Sequence, residues 1–182
     1  MINIYKLKLT ILQQEIMRYL FVKAGESYNA RALAMALDVS PPAVSKALPF
    51  LKKQNFIDIS KDKVSNRFTI QLNRENKIVV GFKRVNNLRL LYESELVNFF
   101  YDMFPGATVI CFGSYAHGED TTTSDIDIAI IHHKEKALDL SSFEKQLERK
   151  IVINFYISFE KIEKPLLNNI INGITLKGAI DI

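Results

Sequence analysis

The sequence predicts an α+β chain of two domains, and three observations predict it. Up to residue 54 apolar side chains recur at helical spacing, and two short alternating runs follow, the order of three helices closed by a β-hairpin. From Val109 onward, two apolar runs typical of buried strands flank a Gly113-Ser114 turn and an Asp125-Ile126-Asp127 step. Charge divides along the same line: residues 1–85 hold 15 Lys and Arg against 6 Asp and Glu, whereas residues 86–182 hold 9 against 14. A basic half joined to an acidic half points to two separate jobs.

In the basic half, Leu9 to Val22 places Leu12, Ile16 and Leu20 on one face, and Gly25 is expected to end that helix. Asn29 is a candidate N-cap for a short second helix, Ala30 to Leu37, with Leu33, Ala34 and Leu37 inward. Asp38-Val39-Ser40 makes a turn. Pro41-Pro42 then opens a third helix, where proline is tolerated, and it runs to about Gln54 with Val44, Leu48 and Leu51 inward. Pro49 falls inside it, at a position where proline can kink a helix. Phe56 to Ser60 and Arg67 to Ile70 alternate around a polar turn and read as a hairpin.

Helix, helix-turn-helix and hairpin is the order of a winged helix-turn-helix. The run Ala34 to Leu51, with Asp38-Val39-Ser40 before Ala43-Val44-Ser45-Lys46, resembles the MarR-like and ArsR-like regulators. The resemblance implies that the third helix enters a major groove with its early residues at base edges. Pro42, Ser45 and Lys46 are the candidates for that role. Lys61, Lys63 and Arg67 on the wing, with Lys52 and Lys53, are the candidate phosphate contacts. Duplex DNA is the expected partner of this half. The alternative is a protein-binding winged helix, in which these lysines only solvate a surface.

Composition narrows the class. With 48% hydrophobic and 24% charged residues the chain reads as soluble and globular. No run of 18 apolar residues exists and the N-terminus lacks a signal-peptide pattern, so a cytoplasmic location and no membrane partner are expected. The single cysteine, Cys111, excludes an intrachain disulfide framework and a cysteine-rich zinc site; inside an apolar run it reads as a core residue.

Between the halves, Asn76 to Phe104 has few breakers and reads as one or two helices, with Phe99, Phe100, Tyr101 and Phe104 as core. The expected division is a winged domain at 1–75, a helical connector at 76–92 and a second domain at 93–182. After the Asp-bearing strand, His132 and His133 mark a solvent-facing turn rather than a metal pair, because adjacent strand residues face opposite sides. Ser141 and Glu144 have the spacing of a capping box that would open a helix to Arg149. Ile151 to Ile157 is a third strand. Ser158 is a candidate cap for a final helix, Phe159 to Ile171, which Pro165 would kink or divide and Gly173 would stop.

The chemistry concentrates at the Asp step. Strand side chains alternate, so Asp125 and Asp127 point the same way, about 7 Å apart along the backbone, while Ile126, Ile128 and Ile130 point into a core. Two acids side by side repel each other and call for a cation. A hard divalent ion carrying a phosphate is the natural counter-charge. Gly113, with no Cβ, lets backbone N–H groups approach a phosphate, and Ser114 adds a hydroxyl donor.

The pattern Phe112-Gly113-Ser114, residues 115–124, then Asp125-Ile126-Asp127-Ile128 resembles the nucleotidyltransferase superfamily that includes DNA polymerase β. The wider run Gly113-Ser114-Tyr115-Ala116-His117-Gly118 is most similar to the minimal nucleotidyltransferases of prokaryotes, which usually carry Arg or Lys where this chain has His117. The resemblance covers roughly residues 90–182 and implies a small mixed sheet flanked by helices. It implies an NTP substrate, with ATP the first expectation, and Mg²⁺ or Mn²⁺ held by Asp125 and Asp127. Gly113 and Ser114 would hold the triphosphate and Ser124 would orient the acidic strand. Active relatives place a third carboxylate on the third strand. Asn154 is the best-placed polar residue there, with Glu148 upstream as the alternative, so catalysis by this chain stays open. The alternative function is a DNA-binding regulator whose transferase fold senses a nucleotide or binds a protein partner, as an antitoxin does. A homodimer stays open as well.

Overall fold

A computed structural model of the chain describes residues 8–61 and 68–181; Lys63 and Arg67 of the expected wing lie outside these residues. The chain divides into two compact units, Met1–Val79 and Val80–Ile182.

The first unit is a winged helix-turn-helix. Helices α1 (Ile11–Val22), α2 (Ala30–Ala36) and α3 (Pro41–Lys53) precede an antiparallel hairpin of β1 (Ile57–Lys61) and β2 (Phe68–Leu72). Side chains start each helix by accepting amide hydrogens that the first turn leaves without partners. Thr10 and Gln13 form a capping box at α1. Asn29 Oδ1 accepts the Ala32 N–H at 2.8 Å, and Ser40 Oγ accepts the Ala43 N–H at 3.4 Å. α3 stays one helix through Pro49, which lies on its exposed side. Ile16, Leu20, Leu33, Val44 and Leu51 are fully buried together beneath the hairpin, as the helical spacing requires. A two-way bridge between Tyr28 and Ile70, at 2.8 and 2.7 Å, also ties the α1–α2 connection to β2. No alternation announces that bridge.

The second unit is the α+β part. Helix α4 (Lys77–Glu93) is continuous, and α5 (Leu96–Met103) follows a reversal in which Glu95 takes φ +64°. Next come β3 (Thr108–Phe112), α6 (Gly113–His117), β4 (Ile126–Ile131), α7 (Ser141–Leu147) and β5 (Ile151–Tyr156). A 3-10 turn (Phe159–Lys161), α8 (Lys164–Ile171) and β6 (Ile174–Lys177) complete it. The sheet runs β5-β4-β3-β6, with β4 and β5 parallel and the other pairs antiparallel. Val109, Cys111, Ile126, Ile128 and Ile130 pack on one face with Leu96, Val97, Phe100 and Phe104. Ile110, Phe112, Ala129 and Ile131 pack on the other with Phe159, Ile162 and Ile170. Burial on both faces is why β3, and β4 beyond Asp127, read as apolar runs.

Three local expectations change. No capping box opens α7: Ser141 donates its N–H and hydroxyl to Asp139 Oδ1 at 3.1 and 2.6 Å, and Glu144 instead accepts the Ile151 N–H at 2.9 Å. α7 also stops at Leu147, because Glu148 turns to φ +53°. The final helix is divided, and Ser158 provides no side-chain cap. Pro165 lies in the first turn of α8, where its missing N–H removes no helical bond. β6, only four residues long, gave no alternation to read. Among the described residues no helix is long and apolar enough to cross a membrane.

Candidate active site and nucleic-acid interface

Pairing of β3 with β4 sets Phe112 opposite Asp127. The next residue, Gly113, turns the chain into α6 at φ +71°, and a Cβ there would stand 2.6 Å from Asp127 Oδ2. The Asp127 carboxylate therefore lies against the backbone of the Gly-Ser turn, in space only glycine leaves open. Asp127 is half-buried, and Asp125, just ahead of β4, is exposed. The Asp127 carboxyl is held above its usual range, first by burial and then by the charge of Asp125. The pair suits a divalent cation: its two sets of oxygens are hard ligands, and a positive ion would relieve both causes of that shift.

The same shift makes a stability prediction. A carboxyl whose folded value is raised adds stability only while protonated; that contribution is lost as pH rises through its folded value. At neutral pH and without metal, ionised Asp127 therefore opposes folding. Asp127→Asn is expected to raise the melting temperature of the metal-free second unit by about 1–3 °C, a small gain because solvent screens a half-exposed group. Calorimetry in EDTA at pH 5 and pH 8 reads it. A fall at pH 8 would mean that the carboxylate makes a structural bond worth more than its repulsion.

The β4–β5 register corrects the expectation for the third acid. Asp127 is paired with Val152, and Asn154 with Ala129. The side chain beside Asp127 is therefore that of Val152, while Asn154 lies one pleat farther, about 7 Å along the strand. Sequence could not separate the two, because a slip of two residues keeps every side chain on its face. Among the described residues no group of three His, Cys, Asp or Glu is placed to hold a metal ion. Glu148 caps α7 and lines a cleft of about 630 Å³ that Ser124, Asp125 and Lys150 also line. Ser124 shapes the approach: its hydroxyl accepts the Thr121 N–H at 3.0 Å and its own N–H reaches Thr121 O at 3.1 Å. This closes the turn that delivers Asp125. Ser114 is half-buried in α6. Cys111 is buried in β3, and burial, then Asp127 and Asp120, push its thiol up, far from thiolate chemistry.

A buried charge cluster beside this turn escaped the sequence reading. Asp120 is 1% exposed and Lys83 2% exposed, and Lys83 Nζ donates to Asp120 Oδ1. Asn87 Nδ2 donates to the same oxygen at 2.7 Å and to Tyr115 O at 2.9 Å. Arg149 Nη2 lies 3.5 Å from Asp120 Oδ2. Lys83 and Asp120 are 37 positions apart, and Glu119-Asp120 looks like loop polarity, so no local signal was available.

In the winged unit, Pro42, Ser45, Lys46, Lys52 and Lys53 are all exposed on α3. The first three lie near its N-terminal end. Lys52 reaches back to Ile59 O on β1 at 3.1 Å, which ties it to the wing. Lys61 Nζ stands 6.0 Å from the ring of Phe68, itself 60% exposed. An apolar cleft of about 550 Å³ between α3 and the hairpin is lined by Leu48, Pro49, Ile59 and Phe68.

Residues 93–175 match the family model described as nucleotidyltransferase domain. No curated protein matches the sequence. Among solved structures, wild-type Lactococcus lactis ZitR in complex with DNA is similar at 27% identity over 53% of this chain and 66% of its own, with a TM-score of 0.39. The S. aureus MepR–DNA complex is similar at 23% identity over 52% of this chain and 78% of its own, TM-score 0.38. The adhesin competence repressor AdcR of Streptococcus pyogenes is similar at 27% identity over 54% and 81%, TM-score 0.37. The chain spans just under two thirds of the ZitR chain.

Proposed function

We propose that the nucleotidyltransferase domain at residues 93–175 transfers a nucleoside monophosphate from an NTP, ATP first, to a hydroxyl of a protein or nucleic acid. The acceptor oxygen bonds to the α-phosphorus, the α–β bridging P–O bond breaks, and pyrophosphate leaves. The observation that carries this reading is the Asp127 carboxylate seated against Gly113, with Asp125 close enough to raise its protonation point. Asp125 and Asp127 would hold Mg²⁺ or Mn²⁺, which supplies charge neutralisation of the phosphates when bound. Gly113 and Ser114 would face the triphosphate, and Ser124 keeps Asp125 in place. Asp125→Asn with Asp127→Asn is expected to abolish the Mg²⁺-dependent part of NTP affinity and leave the protein folded. Titration calorimetry with and without EDTA checks this, and equal affinity in wild type and double variant sinks the site.

A second reading is a DNA-binding regulator whose transferase fold senses a nucleotide or binds a partner in the manner of an antitoxin. Val152 beside Asp127 favours it, because the third position brings no charge. Incubation with labelled NTP and Mg²⁺, with and without cell extract, separates the two by whether label becomes covalent.

The winged unit, on this proposal, binds duplex DNA in the cytoplasm. Support comes from the exposed Pro42, Ser45 and Lys46 in the first half of α3, and from the exposed Lys53 at its end and Lys61 at the end of β1. Affinity should fall steeply with salt as counterions are released. Lys53→Ala with Lys61→Ala should weaken binding to all sequences and flatten the salt slope by about 1 per lysine, whereas Lys46→Ala should shift sequence preference. Absence of binding to any duplex at low salt would assign this unit to protein interaction instead.

A further inference from the structure

We propose that Asn87 and Asp120 are positioning residues for the carboxylate pair, an inference that rests on the nucleotide-binding reading above. Asp125 is exposed and stands outside β4, so the path of the chain into it decides where its carboxylate points. That path is fastened at both ends. On the far side, the Ile126 N–H donates to Lys150 O at 2.8 Å and begins the strand. On the near side, residues 115–120 are held against α4 at three points. Asn87 Nδ2 holds Tyr115 O at 2.9 Å. Gly118 lies so close that a Cβ would stand 2.5 Å from Val80 O and 2.7 Å from Arg84 N. Asp120 Oδ1 accepts from Asn87 and Lys83, and Arg149 Nη2 pairs with Oδ2 at 3.5 Å. Between these fastenings only the Thr121–Ser124 turn remains, and Ser124 closes it.

A buried ion cluster is poor value as a stabiliser, since desolvation consumes most of its attraction. Its worth lies in fixing one arrangement. Here the arrangement fixed is the approach of Asp125 to Asp127, because a loop free of α4 would let the two acids part, as their repulsion favours. Asn87 and Asp120 touch no substrate on this view; they act through Asp125.

The test uses the full chain. Asn87→Ala leaves all charges of the cluster in place and frees the Tyr115 carbonyl and one bond to Asp120. Lys83→Met with Asp120→Asn is the second variant; it keeps side-chain volume and the net charge of the buried cluster. Three quantities are read: the melting profile, hydrogen exchange of amides 119–124 without ligand, and ATP affinity in Mg²⁺ relative to EDTA. Both variants should melt as folded proteins. Amides 119–124 should exchange at least tenfold faster while those of β3 keep their protection. The Mg²⁺-dependent gain in ATP affinity should fall at least tenfold, with affinity in EDTA unchanged. Faster exchange with an unaltered Mg²⁺-dependent gain would show a purely structural cluster and overturn the proposal, as would unchanged exchange. A wild type with no Mg²⁺-dependent affinity would overturn the site reading itself and this proposal with it, a failure recognised in the wild type before any variant is compared.

Discussion

Asp120→Ala should cost the second unit about 3–5 kcal/mol, the penalty for stranding a buried charge by removing its partner. Lys83 and Arg149 both direct their charge at Asp120 from buried positions. Alanine at 120 takes the carboxylate away from two buried cations and leaves their charge without a counter-charge at that point. On the usual scale for a chain of this size the loss lowers the melting temperature by the order of 10 °C. Lys83→Met should cost much less, because Asp120 then keeps Arg149 and Asn87. Urea unfolding of the three proteins measures the ranking. If Asp120→Ala unfolds within 0.5 kcal/mol of wild type, a margin typical of neutral surface changes, the cluster does not carry the energy assigned to it.

The second large effect is a gain. Val152→Asp should raise Mn²⁺ affinity about tenfold or more, a change of ~1.4 kcal/mol, by adding a third carboxylate beside Asp127. Val152 is 38% exposed on β5, at the edge of the sheet, so the new charge can keep water when no ion is bound. Asn154→Asp places the same charge one pleat away, level with Ala129, and should gain far less. Metal titrations of both variants decide. A larger gain at Asn154 than at Val152 would show that the working register differs from Asp127 beside Val152.

Much of this protein was legible from pattern. The Asn29 cap, the double proline at α3 and the apolar runs of β3 and β4 act locally, so spacing alone exposes them. The Gly113-Ser114 turn with its Asp step was legible for the same reason. What stayed hidden depends on distant partners. The placement of Val152 beside Asp127 is set by strand register, and period-two alternation is blind to a slip of two. The Asp120 cluster unites residues from α4, the loop after α6 and the turn between α7 and β5, none of which marks the others. β6 is a strand because β3 has an open side, not because its four residues insist on it.

The pairing of β3 with β6 also bears on the order in which the molecule can form. In the first unit every strand and helix meets its partners within the span from Ile11 to Val79. In the second, β3 waits for residues 174–177 to flank it, with Val109 pairing as far on as Lys177. Closing so long a loop is slow, and it has no counterpart in the first unit. A chain emerging from the ribosome N-terminus first therefore has all the parts of its winged unit about a hundred residues before the strand carrying Cys111 gains its second neighbour. During that interval one side of β3 presents unpaired backbone groups, a sticky edge that only the end of the sheet covers.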